Sequence, residues 1–230
     1  METRRGKIIE VQQNWDGSRQ AVIDFLAGIT PSAGQYLQAF NPVDGDAPAA
    51  ESVFLGGLQP PDLPANRFLT APGIPLSWSP GDELILRGPL GKGFAIPAGV
   101  RRAALAAFGG RCEHLLPLAG EVLASGGEVA LFTDGEFPKL PASIEVNPLQ
   151  DIEDALRWAD YAACSSPLEN LSSAYEHFQA ARGYTAVQLL VLAPMPCGAL
   201  AACGVCAFRW GRRKYLLACE EGPVFDLKDL

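Results

Sequence analysis

Residues 195–219 read MPCGALAACGVCAFRWGRRKYLLAC, and this stretch holds four of the six cysteines in a chain of 230 residues. Cys197, Cys203, Cys206 and Cys219 are separated by five, two and twelve residues. The first three are close enough for one folded loop to turn them onto a small cofactor, and the fourth returns from beyond a short hairpin-like stretch. Thiolates wrapped around a [2Fe–2S] cluster need a backbone that bends sharply, as in a C-x4-C-x2-C loop followed by a distant fourth cysteine. Gly198 and Gly204, with small alanines between them, leave the backbone free to curl. Its N–H groups are then free to reach sulfur, which would raise the reduction potential. Two other readings compete. A structural zinc site also takes four thiolates, but zinc ribbons use two separated C-x2-C knuckles, and only Cys203 and Cys206 form one. Inert packing is the third, because cysteine is among the most buried residue types. A disulfide framework belongs to small secreted domains, and a chain of this size is not one.

Working back from the tail, the chain alternates strand and helix patterns. RAALAAF reads as a buried strand, GGRCEH as a turn and LLPLAGEVLASGG as an amphipathic helix. EVALF and SIEV follow as strands, and DIEDALRWA as a helix with Asp151 at its cap. DYAAC is a strand. PLENLSSAYEHFQAARG is a helix with Pro167 near its first turn and Gly183 as its stop, and AVQLLVLA closes the series. Such alternation implies a parallel sheet with crossover helices. Before Arg101 the pattern differs. KIIEV, AVIDFLAG, GQYLQAF, SVFLGG, RFLTA and DELILRG are short apolar runs separated by turn residues, as in an antiparallel barrel or sandwich. The stretch from Asn41 to Ala50 reads as an exposed loop. The expected fold is thus α+β in several parts: a β-barrel over 1–99, an α/β nucleotide-binding-like domain over 100–192 and an iron–sulfur segment over 193–230.

A hydrophobic content of 48% supports real cores, while 24 glycines and 19 prolines fit many tight turns. A net charge of −8 makes a phosphate backbone an unfavourable partner, and the basic cluster Arg209, Arg212, Arg213 and Lys214 is too short to reverse that. The start, METRRGKIIEVQQ, turns polar too soon for a signal peptide. The longest apolar run, near Ala186 to Pro196, is about half a membrane span. The sequence therefore predicts a soluble cytoplasmic protein that binds neither nucleic acid nor membrane.

The residues also resemble a family. MPCG…ACGVCAF…ACEEGPVFDLKDL at the end, WSPGDELILRGPLGKGF at Trp78–Phe94, AGQYLQAF at Ala33–Phe40 and LLPLAGEVLASGGEVALF at Leu115–Phe132 are similar to the electron-transfer subunit of the dihydroorotate dehydrogenase B type, within the ferredoxin-reductase-like flavoproteins. The resemblance implies a barrel binding FAD against the turn Gly88, Pro89, Leu90 and Gly91. It also implies an α/β domain whose Gly109 and Gly110 approach a nicotinamide nucleotide, and a [2Fe–2S] cluster on the four tail cysteines. The implied partner is a dihydroorotate dehydrogenase-like flavoprotein of pyrimidine biosynthesis or another redox protein.

The sequence departs from that family at defined points. Five residues, not four, separate Cys197 from Cys203. Where an Arg-Pro-aromatic-Ser motif would meet the flavin phosphates, Glu51 to Phe54 read ESVF, and an acid there repels a diphosphate. A Gly-Thr pair is replaced near Ala71 and Pro72, and Pro72 has no N–H to donate. The triple-glycine turn is reduced to FGG at Phe108–Gly110, and the Cys-Gly-Pro that would face a nicotinamide reads Cys164-Ser165-Ser166-Pro167. These losses carry the rival expectation: a flavin-free, non-catalytic binding or regulatory module that keeps a metal-bearing tail.

Other residues carry weaker signals. Cys112 and Cys164 read as core thiols. His114 is expected at the first turn of a helix in a packing or solvent-facing role, and His177 has no catalytic role. Asp134 and Glu136 read as a solvated turn. Nucleophile-elbow, P-loop and HExxH motifs are all missing from the sequence, which leaves hydrolysis without a candidate site.

Overall fold

The apolar runs of the first third all become strands in the computed structural model, which describes residues 3–14, 16–25, 30–43, 50–137, 139–179, 186–210 and 215–229. β1 (Thr3–Gln13), β2 (Arg19–Phe25), β3 (Tyr36–Phe40), β4 (Glu51–Phe54), β5 (Arg67–Leu69) and β6 (Glu83–Leu90) form an antiparallel sheet in the order β4-β3-β6-β1-β2-β5. A bridge between Leu55 and Thr70 joins the ends of the two outer strands, so the sheet closes into the expected barrel. Alternate side chains fill the interior: Ile8, Ile23, Leu37, Ala39, Val53, Phe68, Leu84 and Leu86, around Trp78.

The second sheet has the order β14-β11-β10-β7-β8-β9. Its parallel strands are β7 (Arg102–Ala107), β8 (Glu128–Thr133), β9 (Ile144–Asn147), β10 (Tyr161–Pro167) and β11 (Ala186–Leu192), and β14 (Val224–Asp226) pairs antiparallel with β11. α1 (Leu116–Ala124) covers one face against Ala103, Leu105 and Ala107. α2 (Ile152–Trp158) and α3 (Leu171–Gln179) cover the other against Ala104 and Ala106. Burial on both faces explains why β7 is apolar at every position after its first residue. Small alanines there let the helices approach closely.

The tail adds a hairpin, β12 (Ala207–Arg209) with β13 (Tyr215–Leu217), then α4 (Ala218–Glu221) and β14. Gln188 ties this end together: its Oε1 accepts from Tyr161 Oη at 2.8 Å and from the Ala95 N–H at 2.9 Å, while its Nε2 donates to Asp226 Oδ1 at 3.0 Å.

Local expectations differ from the structure at two helix starts. Asp151 stands at the cap of α2, but its side chain makes no capping bond; Glu153 and Asp154 supply the acidic first turn instead. Pro167 ends β10, and a 3-10 turn at Leu168–Asn170 precedes α3. Gly183, Arg212, Arg213, Lys214 and residues 44–49 of the expected loop lie outside the described residues. Among the described residues, no helix is long and apolar enough to cross a membrane.

Candidate functional site

The loop after Met195 is built from backbone that few residues adopt. Gly198, Ala199, Ala201 and Gly204 have φ of +57°, +64°, +53° and +69°. Small side chains are what make such a run tolerable. Gly198 is further constrained because a Cβ there would stand 2.8 Å from Gln38 Oε1 on the barrel. The curl turns the N–H groups of Ala202, Leu200 and Cys203 onto the Cys197 sulfur.

The four thiols come together along this path. Cys197 Sγ lies 4.0 Å from Cys219 Sγ, and the Cys219 N–H donates to Cys206 Sγ at 3.4 Å. The Cys203 side chain bonds to Cys197. The Ala218 N–H donates to the Cys206 carbonyl at 3.2 Å, so the hairpin delivers Cys206 and Cys219 as a unit. Cys206 and Cys219 are buried, Cys197 is half-buried and Cys203 is exposed. Burial pushes the Cys219 thiol up to about 12, helped by its bond to Cys206 and by the charges of Cys206 and Cys197. Burial also pulls Cys197 upward, but the hydrogen bonds from Ala202, Cys203 and Leu200 outweigh it and bring its pKa down to about 7. Cys197 is therefore the thiol of this pair that ionises first. Among the described residues, no three His, Cys, Asp or Glu side chains converge on a point that would hold a single metal ion.

Residues 193–230 match the iron–sulfur cluster binding domain of dihydroorotate dehydrogenase B. That match is confined to the tail of the chain. The four cysteines of this matched segment suit a cluster by their chemistry: four soft thiol donors, with backbone N–H groups turned onto one of them.

The chain as a whole has a ferredoxin-reductase-like fold. The NADH-dependent reduced ferredoxin–NADP oxidoreductase superposes with a TM-score of 0.69 at 14% identity, over 96% of this chain and 87% of that one. Phthalate dioxygenase reductase gives 0.60 at 14%, over 82% and 68%. The ferredoxin reductase of carbazole 1,9a-dioxygenase gives 0.60 at 11%, over 83% and 69%. An intact self-sufficient cytochrome P450 monooxygenase gives 0.58 at 17%, and this chain spans only 28% of its length. None of the curated proteins matches the sequence.

The positions that the family pattern reserves for flavin are filled by the protein itself. Glu51 to Phe54 and Ala71 to Ile74 line a cavity of only about 40 Å³, closed by His114. The His114 imidazole packs edge-on against Phe54 with ring centroids 5.5 Å apart, and burial lowers its pKa to about 4. His114 thus lies buried just ahead of α1, in the packing role. Ligand pockets are several hundred Å³, so this cavity by itself is too small to enclose a flavin, and Glu51 adds an acid to its lining. Gly88, Pro89 and Leu90 end β6 rather than forming a turn, with Pro89 exposed, and only Gly91 is covered by the tail. A Cβ on Gly91, whose φ is +74°, would stand 2.3 Å from Pro223 Cδ, and the Lys92 N–H donates to the Gly222 carbonyl at 2.7 Å.

The nucleotide positions lie where β7 and β10 diverge, the switch point at which open α/β sheets take ligands. There a Cβ on Gly109 would meet Pro167 Cγ at 2.8 Å, and a Cβ on Gly135 would meet the Gly110 carbonyl at 2.2 Å. The loop is docked onto the barrel through Arg111 Nη2 to Asp16 Oδ2 at 2.9 Å and the Gly57 N–H to the Glu113 carbonyl at 2.9 Å. Cys164 is fully buried in β10, its thiol raised far above the ordinary range by burial, and Cys112 is likewise buried and pushed up to about 12. His177 Nδ1 is 3.4 Å from Glu153 Oε1, between α3 and α2.

Three roles escaped the sequence reading. Asp134 Oδ1 accepts from the Leu149 N–H at 3.0 Å and so pins the start of the turn before α2. Tyr36 and Gln38 lie beneath the cysteine loop. A polar Gln38 inside an otherwise apolar strand was the available signal.

Proposed function

We propose that this chain is an iron–sulfur electron-transfer subunit that relays electrons between a nicotinamide nucleotide or flavin and a partner oxidoreductase such as a dihydroorotate dehydrogenase. Cys197, Cys203, Cys206 and Cys219 hold a [2Fe–2S] cluster, which accepts and releases one electron at roughly −400 mV in plant-type surroundings. The observation that carries this reading is the linked set of sulfurs: Cys197 touching Cys219 at 4.0 Å, Cys206 bonded from the Cys219 N–H, and Cys203 at the surface. A two-iron cluster divides four thiolates between its irons, whereas tetrahedral zinc needs them all at one point. The Cys197 loop supplies N–H donors that stabilise negative charge on sulfur. The Cys203 edge gives a docked partner the shortest path. The division at 1–99, 100–192 and 193–230 assigns support to the first two parts and redox chemistry to the third. Six free cysteines suit a reducing cytoplasm.

Iron, acid-labile sulfide, zinc and flavin analysis of anaerobically purified protein tests this reading. The expected result is two irons and two sulfides per chain, a reducible visible spectrum and no flavin. Zinc without iron defeats it. Cys203→Ser should lower iron retention, and unchanged iron would remove Cys203 from the ligand set.

A second reading follows from the filled flavin positions at Phe54 and His114: a flavin-free regulatory module in which the tail metal is structural. A cluster that cannot be reduced by dithionite or by a reduced partner flavoprotein would favour it.

A further inference from the structure

β3 has two faces with different duties. Leu37 and Ala39 point into the barrel core, while Tyr36 joins the cluster of buried residues that contains Cys206 and Cys219. Tyr36 is fully buried, and its hydroxyl has no hydrogen-bond partner among the described residues. Its ring is fixed by Phe54, with centroids 5.6 Å apart, and by the backbone at Gly91, where a Cβ would lie 3.2 Å from Tyr36 Cε1. Two residues along the strand, Gln38 is also buried, with both amide atoms unpartnered among the described residues, directly beneath Gly198 of the cysteine loop. A single strand face thus aims two unsatisfied polar side chains at the underside of the cysteine site. Buried hydroxyls are rarely left unpaired. The sulfurs of Cys219, Cys197 and Cys206 all act electrostatically on the Tyr36 phenol.

We propose that Tyr36 Oη–H donates a hydrogen bond to the sulfur shell of the cluster and so sets its reduction potential from the barrel side. Backbone N–H groups of the Cys197 loop serve one side of the sulfurs, and the phenol serves the other. Reduction adds negative charge to the sulfurs and strengthens a hydrogen bond to them, so the donor favours the reduced state. Tyr36 acts through the cluster ligands and is a positioning residue. The inference rests on the cluster reading above.

Tyr36→Phe removes only the hydroxyl and keeps the ring against Phe54 and Gly91. In the cluster-loaded full chain, it should leave iron and sulfide content unchanged and lower the midpoint potential. At a fixed poise the reduced-to-oxidised ratio should fall several-fold; a tenfold fall is 59 mV for one electron. An exchangeable-proton coupling in the ENDOR spectrum of the reduced wild type should be lost. Ser52→Ala, which removes another unpartnered buried hydroxyl from β4, should leave both readouts unchanged. An unmoved potential in Tyr36→Phe, with wild-type iron, overturns the Tyr36 role and leaves the cluster reading standing. So does an equal shift in Ser52→Ala, or a Tyr36→Phe protein that assembles less cluster. A wild type that takes up neither iron nor sulfide overturns both readings.

Discussion

The tail and the barrel face around Phe54 both lie where the sequence resembles cofactor-binding patterns, yet they are built in opposite ways. In the tail, the backbone keeps left-handed turns at Gly198, Ala199, Ala201 and Gly204, and the thiols they position remain linked to one another. At the barrel face, the strands persist while His114 packs on Phe54 and Glu51 lines what is left of the cavity. The difference teaches that packed side chains hold the barrel face together without an open cavity there, because close packing is what the core requires. A thiol set has no such substitute, since its sulfurs are only useful together.

The largest expected effect comes from the tail. Cys219→Ser removes the sulfur that contacts both Cys197 and Cys206, and it should abolish most iron binding while far-UV circular dichroism stays unchanged. Iron retained at the wild-type level would erase the contrast between the two regions. Next is the seam between them. Gly91→Val places a side chain against Pro223 at a positive φ. Backbone strain and overpacking together cost about 3 kcal/mol, or roughly 6–12 °C in thermal midpoint for a chain of this size. A midpoint within about 2 °C of wild type would mean that tail and barrel are not tightly joined there.

The smallest effect sharpens the barrel side. The His114 pKa falls from its ordinary 6.5 to about 4 on folding, because burial disfavours the charged ring and the Arg111 charge adds to this. The unfolded chain therefore binds the extra proton first. The stability that this neutral packing supplies is present above pH 6.5 and is lost as pH falls toward 4. Between pH 7 and pH 5 the loss is about 2 kcal/mol. Urea unfolding of wild type against His114→Leu should show that the variant lacks this part of the pH slope. Parallel slopes would mean that His114 is not sealed against Phe54.

Much of the plan was legible from local pattern. Each short apolar run before Arg101 became a strand, and the alternation after it became β7 to β11 with three helices, since strand and helix periods follow from local geometry. Element ends were less legible. Pro167 is compatible with the end of a strand as well as a helix start, and its place in β10 is fixed by pairing with Leu192. Asp151 has the right identity for a cap, but a side chain's rotamer depends on its neighbours.

For the site, the sequence by itself determined which atoms are available: thiols are scarce, four stand within one short tail, and a glycine, three alanines and a leucine separate the first two. It also placed Glu51 where the resembling family has an arginine. Only the tertiary structure decided what surrounds those atoms. That His114 fills the space over Phe54, that Pro223 covers Gly91 and that Tyr36 is buried in the same cluster as Cys206 and Cys219 all depend on segments far apart in the chain. The physical reason is range. Residue chemistry and backbone period are local, whereas the filling of a cavity and the pairing of a buried hydroxyl are settled by whichever distant surfaces pack together.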